Sequence, residues 1–302
     1  MSVLRKEMSV KIIETLASLR EHGGVNITNH HVLVLGATGK TGSRVAGTLS
    51  QRGVSVRTAA RSGAGIHFDW DSPATFEPAL RGITGVYLLS PVLRTDFAGV
   101  VSRFLDQAEQ SGVRNVSYLS AYGMEHAPAG VAMRAVELDL MSRGSLTHSI
   151  IRPAWFMQNF SETFLKPADD EIVVPAGTGA EAFVDAGDIA SVAAATLAEP
   201  GRHAGRAYAP TGPRSLTLTE AAQIISAAAG RTIAYRDAGR EEWIDAMVAS
   251  GVPAVYGQVL RTLTETIASG RGARPNGDVL AATGAAPASF ADFAAQTAPA
   301  WK

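Results

Sequence analysis

His31-Val-Leu-Val-Leu-Gly-Ala-Thr-Gly-Lys-Thr-Gly-Ser43 is the stretch on which the fold turns. Its apolar run, Val32 to Leu35, has the length of a buried parallel strand. Gly36, Gly39 and Gly42 follow, and then Val45, Ala46 and Leu49 begin a helical pattern. Strand, glycine turn and helix in that order predict a dinucleotide-binding corner. Gly36 is needed for the tight turn, Gly39 for the approach of a pyrophosphate to the backbone, and Gly42 for close packing of the helix on the sheet. The pyrophosphate is expected on the free N–H groups of the helix N-terminus, with Thr38, Lys40 and Thr41 beside it. Gly39-Lys40-Thr41 also invites a P-loop reading, but that motif needs a glycine where Val34 stands.

Outward from this corner, Val54 to Ala60 reads as a second strand that ends at Arg61-Ser62. A corner selective for NAD places an acid here to accept from the ribose hydroxyls. A guanidinium instead matches a 2′-phosphate through charged, bidentate bonds, so the preference expected is NADPH over NADH. The other strands expected are Ile66–Asp69, Val86–Leu89, Val116–Leu119 and Ser149–Arg152. Helices are expected at Phe97–Gln110 and Ala132–Met141. Such alternation predicts an α/β fold, a Rossmann-type doubly wound parallel sheet, with ligands at the carboxyl ends of its strands. That rule gathers Asp69, Trp70, Ser90, Pro91, Ser120, Ala121, Tyr122 and Pro153 around one cleft.

Beyond Ala154 the pattern becomes aromatic and then helical. Helices are expected from Val184-Asp-Ala-Gly-Asp-Ile189, at Thr219–Ala228, Glu241–Ala249 and Ala254–Ala268, and near Asp278–Thr283 and Ser289–Gln296. The division expected is a dinucleotide-binding domain over 31–155, to which 182–208 return. A smaller, mostly helical C-terminal lobe, at 156–181 and 209–302, would bind the substrate. Ahead of it, Leu4, Met8, Ile12, Ile13, Leu16 and Leu19 fall at helical spacing, so residues 1–30 are read as a helical extension and a possible homo-oligomer contact.

The composition of the 302-residue chain narrows the classes. Its formal net charge of -1 suggests neither a nucleic-acid nor a membrane partner. With no cysteine there is no disulfide, thiolate nucleophile or cysteine–zinc site, which suits a cytoplasmic location. The seven histidines do not cluster at metal spacing, so no metal is expected.

Together these residues resemble the NmrA-like, atypical branch of the short-chain dehydrogenase/reductases. Within it, the chain is most similar to the festuclavine/agroclavine dehydrogenase group of ergot-alkaloid biosynthesis and its bacterial relatives. The matching stretches are Gly36-Ala-Thr-Gly-Lys-Thr-Gly42, Ala60-Arg-Ser62, Phe68-Asp-Trp70, Val86-Tyr-Leu-Leu-Ser-Pro91 and Arg152-Pro-Ala-Trp-Phe-Met-Gln-Asn-Phe160. Asn276-Gly-Asp-Val279 and Ser289-Phe-Ala-Asp-Phe293 match as well. The resemblance implies that Thr38 to Gly42 and Arg61-Ser62 hold the cofactor. It also implies a choice among quinone and dye reductases, iminium reductases and NADP sensors.

Ordinary short-chain dehydrogenases protonate a carbonyl oxygen through a Tyr-x-x-x-Lys pair. Here Met133 and Glu137 stand where that pair is expected, and Tyr122 has His126 four residues on in place of a lysine. Reduction of an unactivated ketone is therefore not expected. An iminium is already cationic, and a quinone can take its proton from water. Either fits a site of flat apolar walls in which orientation supplies most of the catalysis. Trp155, Phe156, Met157 and Phe160 are the candidate walls, and Tyr122 is the candidate proton donor and acceptor contact. The function expected is an NADPH-dependent reductase of a conjugated or cationic small-molecule acceptor. The alternative is an NADP(H)-binding redox sensor without turnover.

Overall fold

Strand β1 is His31–Leu35, and after the glycine turn helix α1 is Lys40–Gln51. This computed structural model describes residues 30–302, so the helix and oligomer contact expected at the N-terminus lie outside the described residues. The chain continues through β2 Ser55–Ala60, β3 Ile66–His67, α2 Phe76–Leu80, β4 Gly85–Leu89 and α3 Ala98–Gln110. Next come β5 Asn115–Leu119, α4 Ala132–Ser142, β6 Thr147–Ile151 and the short α5 Asn159–Glu162. They are followed by β7 Glu171–Val173, β8 Ala180–Glu181, α6 Ala186–Ala198 and β9 Arg206–Tyr208.

Seven of these strands form one sheet in the order β3-β2-β1-β4-β5-β6-β9, with every pairing parallel. The strand order runs outward from β1 to β3 and then reverses to β4 on the other side of β1. That reversal opens a crevice at the carboxyl ends of β1 and β4, where ligands bind in such sheets. Alternation along β1 shows why both faces must be covered. Val32 and Val34 face a core built with Val45, Ala46 and Leu49 of α1 and Ile189 to Leu197 of α6. Leu33 and Leu35 face a second core with α2, α3 and α4, through Phe76, Val101, Phe104 and Leu140.

The C-terminal region is mostly helical. It holds β10 Leu216–Thr217, α7 Leu218–Ala229, β11 Ala234–Arg236, α8 Arg240–Ala249, α9 Gly257–Ala268, α10 Asp278–Thr283 and α11 Phe290–Thr297. Its own apolar core includes Phe160, Phe183, Trp243, Phe290 and Trp301. Thr217 and Glu220 close a reciprocal capping box at the start of α7. At α11 Ser289 is the N-cap, accepting from the Asp292 N–H.

The expected third strand is cut short. Phe68 still donates to the Ala60 carbonyl, but Asp69 turns the chain, its side chain accepting from the Asp71 N–H. Strand β9 has no counterpart among the expected elements, because three residues with only Tyr208 buried carry no readable period.

Candidate cofactor cleft and acceptor wall

The turn between β1 and α1 is built by backbone proximity. Gly36 has φ +63°, a left-handed conformation that favours glycine. A Cβ on Gly42 would lie 2.2 Å from the Gly36 carbonyl oxygen, so α1 sits against the turn only because position 42 has no side chain. Gly39 is the N-cap of α1, with no side-chain cap, and no acid lies in the first turn. The leading N–H groups of α1 are left for an anion.

Beside this turn lies a cavity of about 370 Å³. Gly36, Thr38 and Gly39 line it at the turn, and Arg61 and Ser62 line it at the end of β2. Asp69 and Trp70 follow β3, and Ser90 and Pro91 follow β4. These nine expected cofactor residues are thus brought together from four separate strand ends. The Arg61 guanidinium has no ion pair or hydrogen bond among the described residues. Trp70 is held edge-on to Phe68 and Phe104 at ring distances of 5.0 and 5.4 Å. Asp71 and Arg94 also line the cavity and are joined at 2.6 Å, with Asp96 3.2 Å from the same guanidinium. Sequence reading missed this pair. The only signal for it was that their loops follow strand carboxyl ends.

A dinucleotide fits what is present: a glycine turn that a Cβ would fill, uncapped helix N–H groups, and, lining the cavity, a guanidinium with no partner among the described residues. Lys40, Thr41, Gly42, Ser120, Ala121 and Pro153 do not line that cavity. Thr41 and Gly42 are buried beneath the turn. The Lys40 side chain crosses to α5, where its ammonium donates to Asn159 Oδ1 at 3.1 Å and Thr163 Oγ1 at 2.8 Å. Burial lowers its pKa, assisted by nearby Arg44 and opposed by Glu162.

Ser120, Ala121 and Pro153 lie together at the ends of β5 and β6. The Ser120 N–H donates to the Ile151 carbonyl, and the Tyr122 N–H to that of Pro153. Beneath them Glu137 is 0 % exposed. Arg152 grips its carboxylate with two bonds of 2.8 Å, Arg134 donates at 2.7 Å and Ser120 Oγ at 2.6 Å. Burial by itself would raise the Glu137 pKa, but the bonds from Arg152, Ser120 and Arg134 outweigh it and hold the group below its usual range. Glu137 is therefore a buried ionic tie with no water contact. The Tyr122 ring is 38 % exposed, and its hydroxyl has no hydrogen bond among the described residues.

Of the expected walls, Trp155 and Phe156 are half-buried. Trp155 is backed by Phe164 at 5.5 Å, and Phe164 in turn by Trp243 at 6.1 Å. Phe160 is a correction. It is 0 % exposed and packed edge-on to Phe183 and Phe290, because the short α5 turns it into the C-terminal core. Met157 is also buried, facing a separate apolar cavity of about 100 Å³. Among the described residues no group of three or more His, Cys, Asp or Glu could hold a metal ion, and no helix is long and apolar enough to cross a membrane.

Comparison with known proteins gives a match to the NAD(P)H-binding family over residues 36–200. The chain is 34% identical over 281 residues to an uncharacterized oxidoreductase, YesF, of Bacillus subtilis (strain 168), covering 89% of this chain and 96% of the relative. It is 30% identical over 288 residues to the agroclavine dehydrogenase of Claviceps fusiformis, covering 89% and 98%. Among solved structures, an NADPH-dependent quinone oxidoreductase of Escherichia coli complexed with NADPH shares the fold with a TM-score of 0.73. It is 20% identical and covers 88% of this chain and 99% of the other. The triphenylmethane reductase of Citrobacter sp., complexed with NADP(H), has a TM-score of 0.68 at 22% identity, covering 89% and 99%.

Proposed function

This chain belongs to the NAD(P)H-binding family and is an NAD(P)H-dependent oxidoreductase; on that premise we propose that it uses NADPH to reduce a conjugated or cationic organic acceptor. The acceptor class is an iminium, a quinone or a related dye. The observation that carries this reading is the fully buried Glu137 where a proton-donating site would keep its lysine. Two guanidiniums neutralise that carboxylate, and the Ser120 hydroxyl proton is committed to it. Ser120 therefore has no proton left to donate to an acceptor oxygen. Tyr122 is exposed, and its hydroxyl has no hydrogen-bond partner among the described residues. Among the described residues at this site none is arranged as a general acid, which favours an acceptor that needs none.

When bound, NADPH supplies the hydride. The residues of this chain bind and orient. Gly36, Gly39 and the α1 N-terminus would take the pyrophosphate, and Arg61 with Ser62 the 2′-phosphate. Asp69 and Trp70 would edge the adenine, with Ser90, Pro91, Ser120, Ala121 and Pro153 toward the nicotinamide end. Trp155 and Phe156 would form flat apolar walls against the acceptor, where orientation supplies most of the rate. The agroclavine dehydrogenase relative supports a dehydrogenase acting on a small organic molecule, and the quinone and triphenylmethane reductases share the fold.

The test is NADPH oxidation against quinones, iminium salts and cationic triphenylmethane dyes, with simple ketones as controls. Turnover on at least one of the first three and none on ketones is expected. NADPH binding without oxidation by any of them would overturn the proposal in favour of a redox sensor.

A further inference from the structure

The cofactor helix and the aromatic segment are joined by two side-chain ties one turn apart on α1. Lys40 reaches Asn159 Oδ1 and Thr163 Oγ1, and Arg44 pairs with Glu162 at 3.1 Å. The two differ in kind. Arg44 meets a full countercharge, and its other guanidinium nitrogen donates to the Lys40 carbonyl. The Lys40 ammonium donates only to two neutral oxygens, and the Glu162 carboxylate acts on it through space without a bond. An ammonium has three donors, and the third has no partner among the described residues. Lys40 is also the first residue of α1, next to Gly39 in the phosphate cradle. Of the two ties, only this one has no carboxylate bonded to its cation, and it begins where the cofactor's negative charge would arrive.

We propose that Lys40 is a positioning residue that couples the bound dinucleotide to the acceptor wall, its ammonium answering the pyrophosphate on one side and holding α5 on the other. The inference rests on the dinucleotide reading of the cleft. The cofactor's charge completes the coordination of Lys40, Lys40 fixes Asn159 and Thr163, and α5 fixes the aromatic run that ends in Trp155 to Phe160. Cofactor would therefore bind first and bring the wall into register for the acceptor. In an empty cleft the same ammonium, with Glu162 acting on it only through space and already bonded to Arg44, would hold α5 less firmly.

The experiment is amide hydrogen exchange over residues 158–166, with and without NADP⁺, with binding followed separately by calorimetry. In the unaltered protein NADP⁺ should slow exchange in this segment at least about fivefold. Lys40→Met should still bind NADP⁺, with affinity lowered by no more than about tenfold. At saturation its segment should show less than about twofold protection. Lys40→Arg should restore most of the protection. Arg44→Met cuts the neighbouring tie without touching the cradle, so it should loosen the segment but keep the NADP⁺ response. Equal protection in the unaltered and Lys40→Met proteins, or loss of the response in Arg44→Met alone, would overturn the coupling while leaving the cofactor reading intact. Failure of NADP⁺ to bind the unaltered protein would overturn both.

Discussion

Gly39 sits at φ −92° and ψ 177°, an extended conformation that valine adopts without strain. A Cβ there would stand 3.2 Å from the Gly36 carbonyl oxygen, which a small shift accommodates, but a branched side chain beside the α1 N-terminus would compete with the pyrophosphate expected there. Gly39→Val should therefore remain folded by circular dichroism yet show no NADPH binding in a fluorescence titration. Arg61 acts through charge. It lines the cavity unpaired, and a lost charged hydrogen bond typically costs about 1.5–3 kcal/mol, roughly 10- to 150-fold in affinity. Arg61→Ala should weaken NADPH by that factor and leave NADH nearly unchanged. Equal weakening of both cofactors would remove Arg61 from the 2′-phosphate.

Between elements, the Glu137 cluster joins α4 to the ends of β5 and β6 through Ser120 and Arg152. Its position one helical turn after Met133 was visible in the sequence, but its partners were not, because Ser120 and Arg152 come from separate strands. Taking one partner from a buried ion pair typically costs about 3–5 kcal/mol. Glu137→Gln leaves Arg134 without its carboxylate and Arg152 with only Glu125, 3.5 Å away, and should lower unfolding stability in urea by about that amount. Tyr122→Phe should leave both stability and iminium turnover unchanged within about threefold. A true general acid contributes about 10²- to 10⁴-fold. A hundredfold fall for Tyr122→Phe, with NADPH still bound, would restore a proton donor to the site and ketones to its substrates.

Across the whole molecule, Glu181 ties the C-terminal region together. It is 2 % exposed, and its carboxylate accepts from the backbone N–H of Trp155 at 3.2 Å and of Ala273 at 2.8 Å. Burial raises its pKa to about 7, against only partial relief from those two bonds. Asp188, half-buried at α6 and accepting from the Ala288 N–H, moves in the same direction, to about 6. For Glu181 the folded state keeps a proton that the unfolded chain has released between about pH 4.5 and 7. Its contribution is fully present below that window and is lost as pH rises through it. Glu181→Gln should flatten this slope. Between pH 5 and 8 the unaltered protein should lose on the order of 2 kcal/mol that the variant does not lose, read by urea unfolding at each pH.

How much of this was legible in the chain depended on how far apart the interacting residues lie. The β1–turn–α1 corner is local: an apolar run, three glycines and an amphipathic helix are constrained by neighbours within about a dozen residues. The parallel doubly wound sheet followed from strand and helix periods of the same range. Strand ends could also be placed in advance, which is why Gly36, Arg61, Asp69 and Ser90 meet in one cavity as expected. Partners across long separations could not be read. The Asp71–Arg94 pair, the Lys40 bridge to Asn159 and Thr163, and the grip of Arg152 on Glu137 join residues whose own surroundings in sequence say nothing of each other. Phe160 shows the same limit from the other side. An aromatic run announces that something apolar will be covered, but the direction in which α5 turns decides which ring faces the core. Local pattern determines which elements form. Only the packed chain decides which side chains face one another, because burial and charge pairing depend on what the rest of the molecule brings to the same point in space.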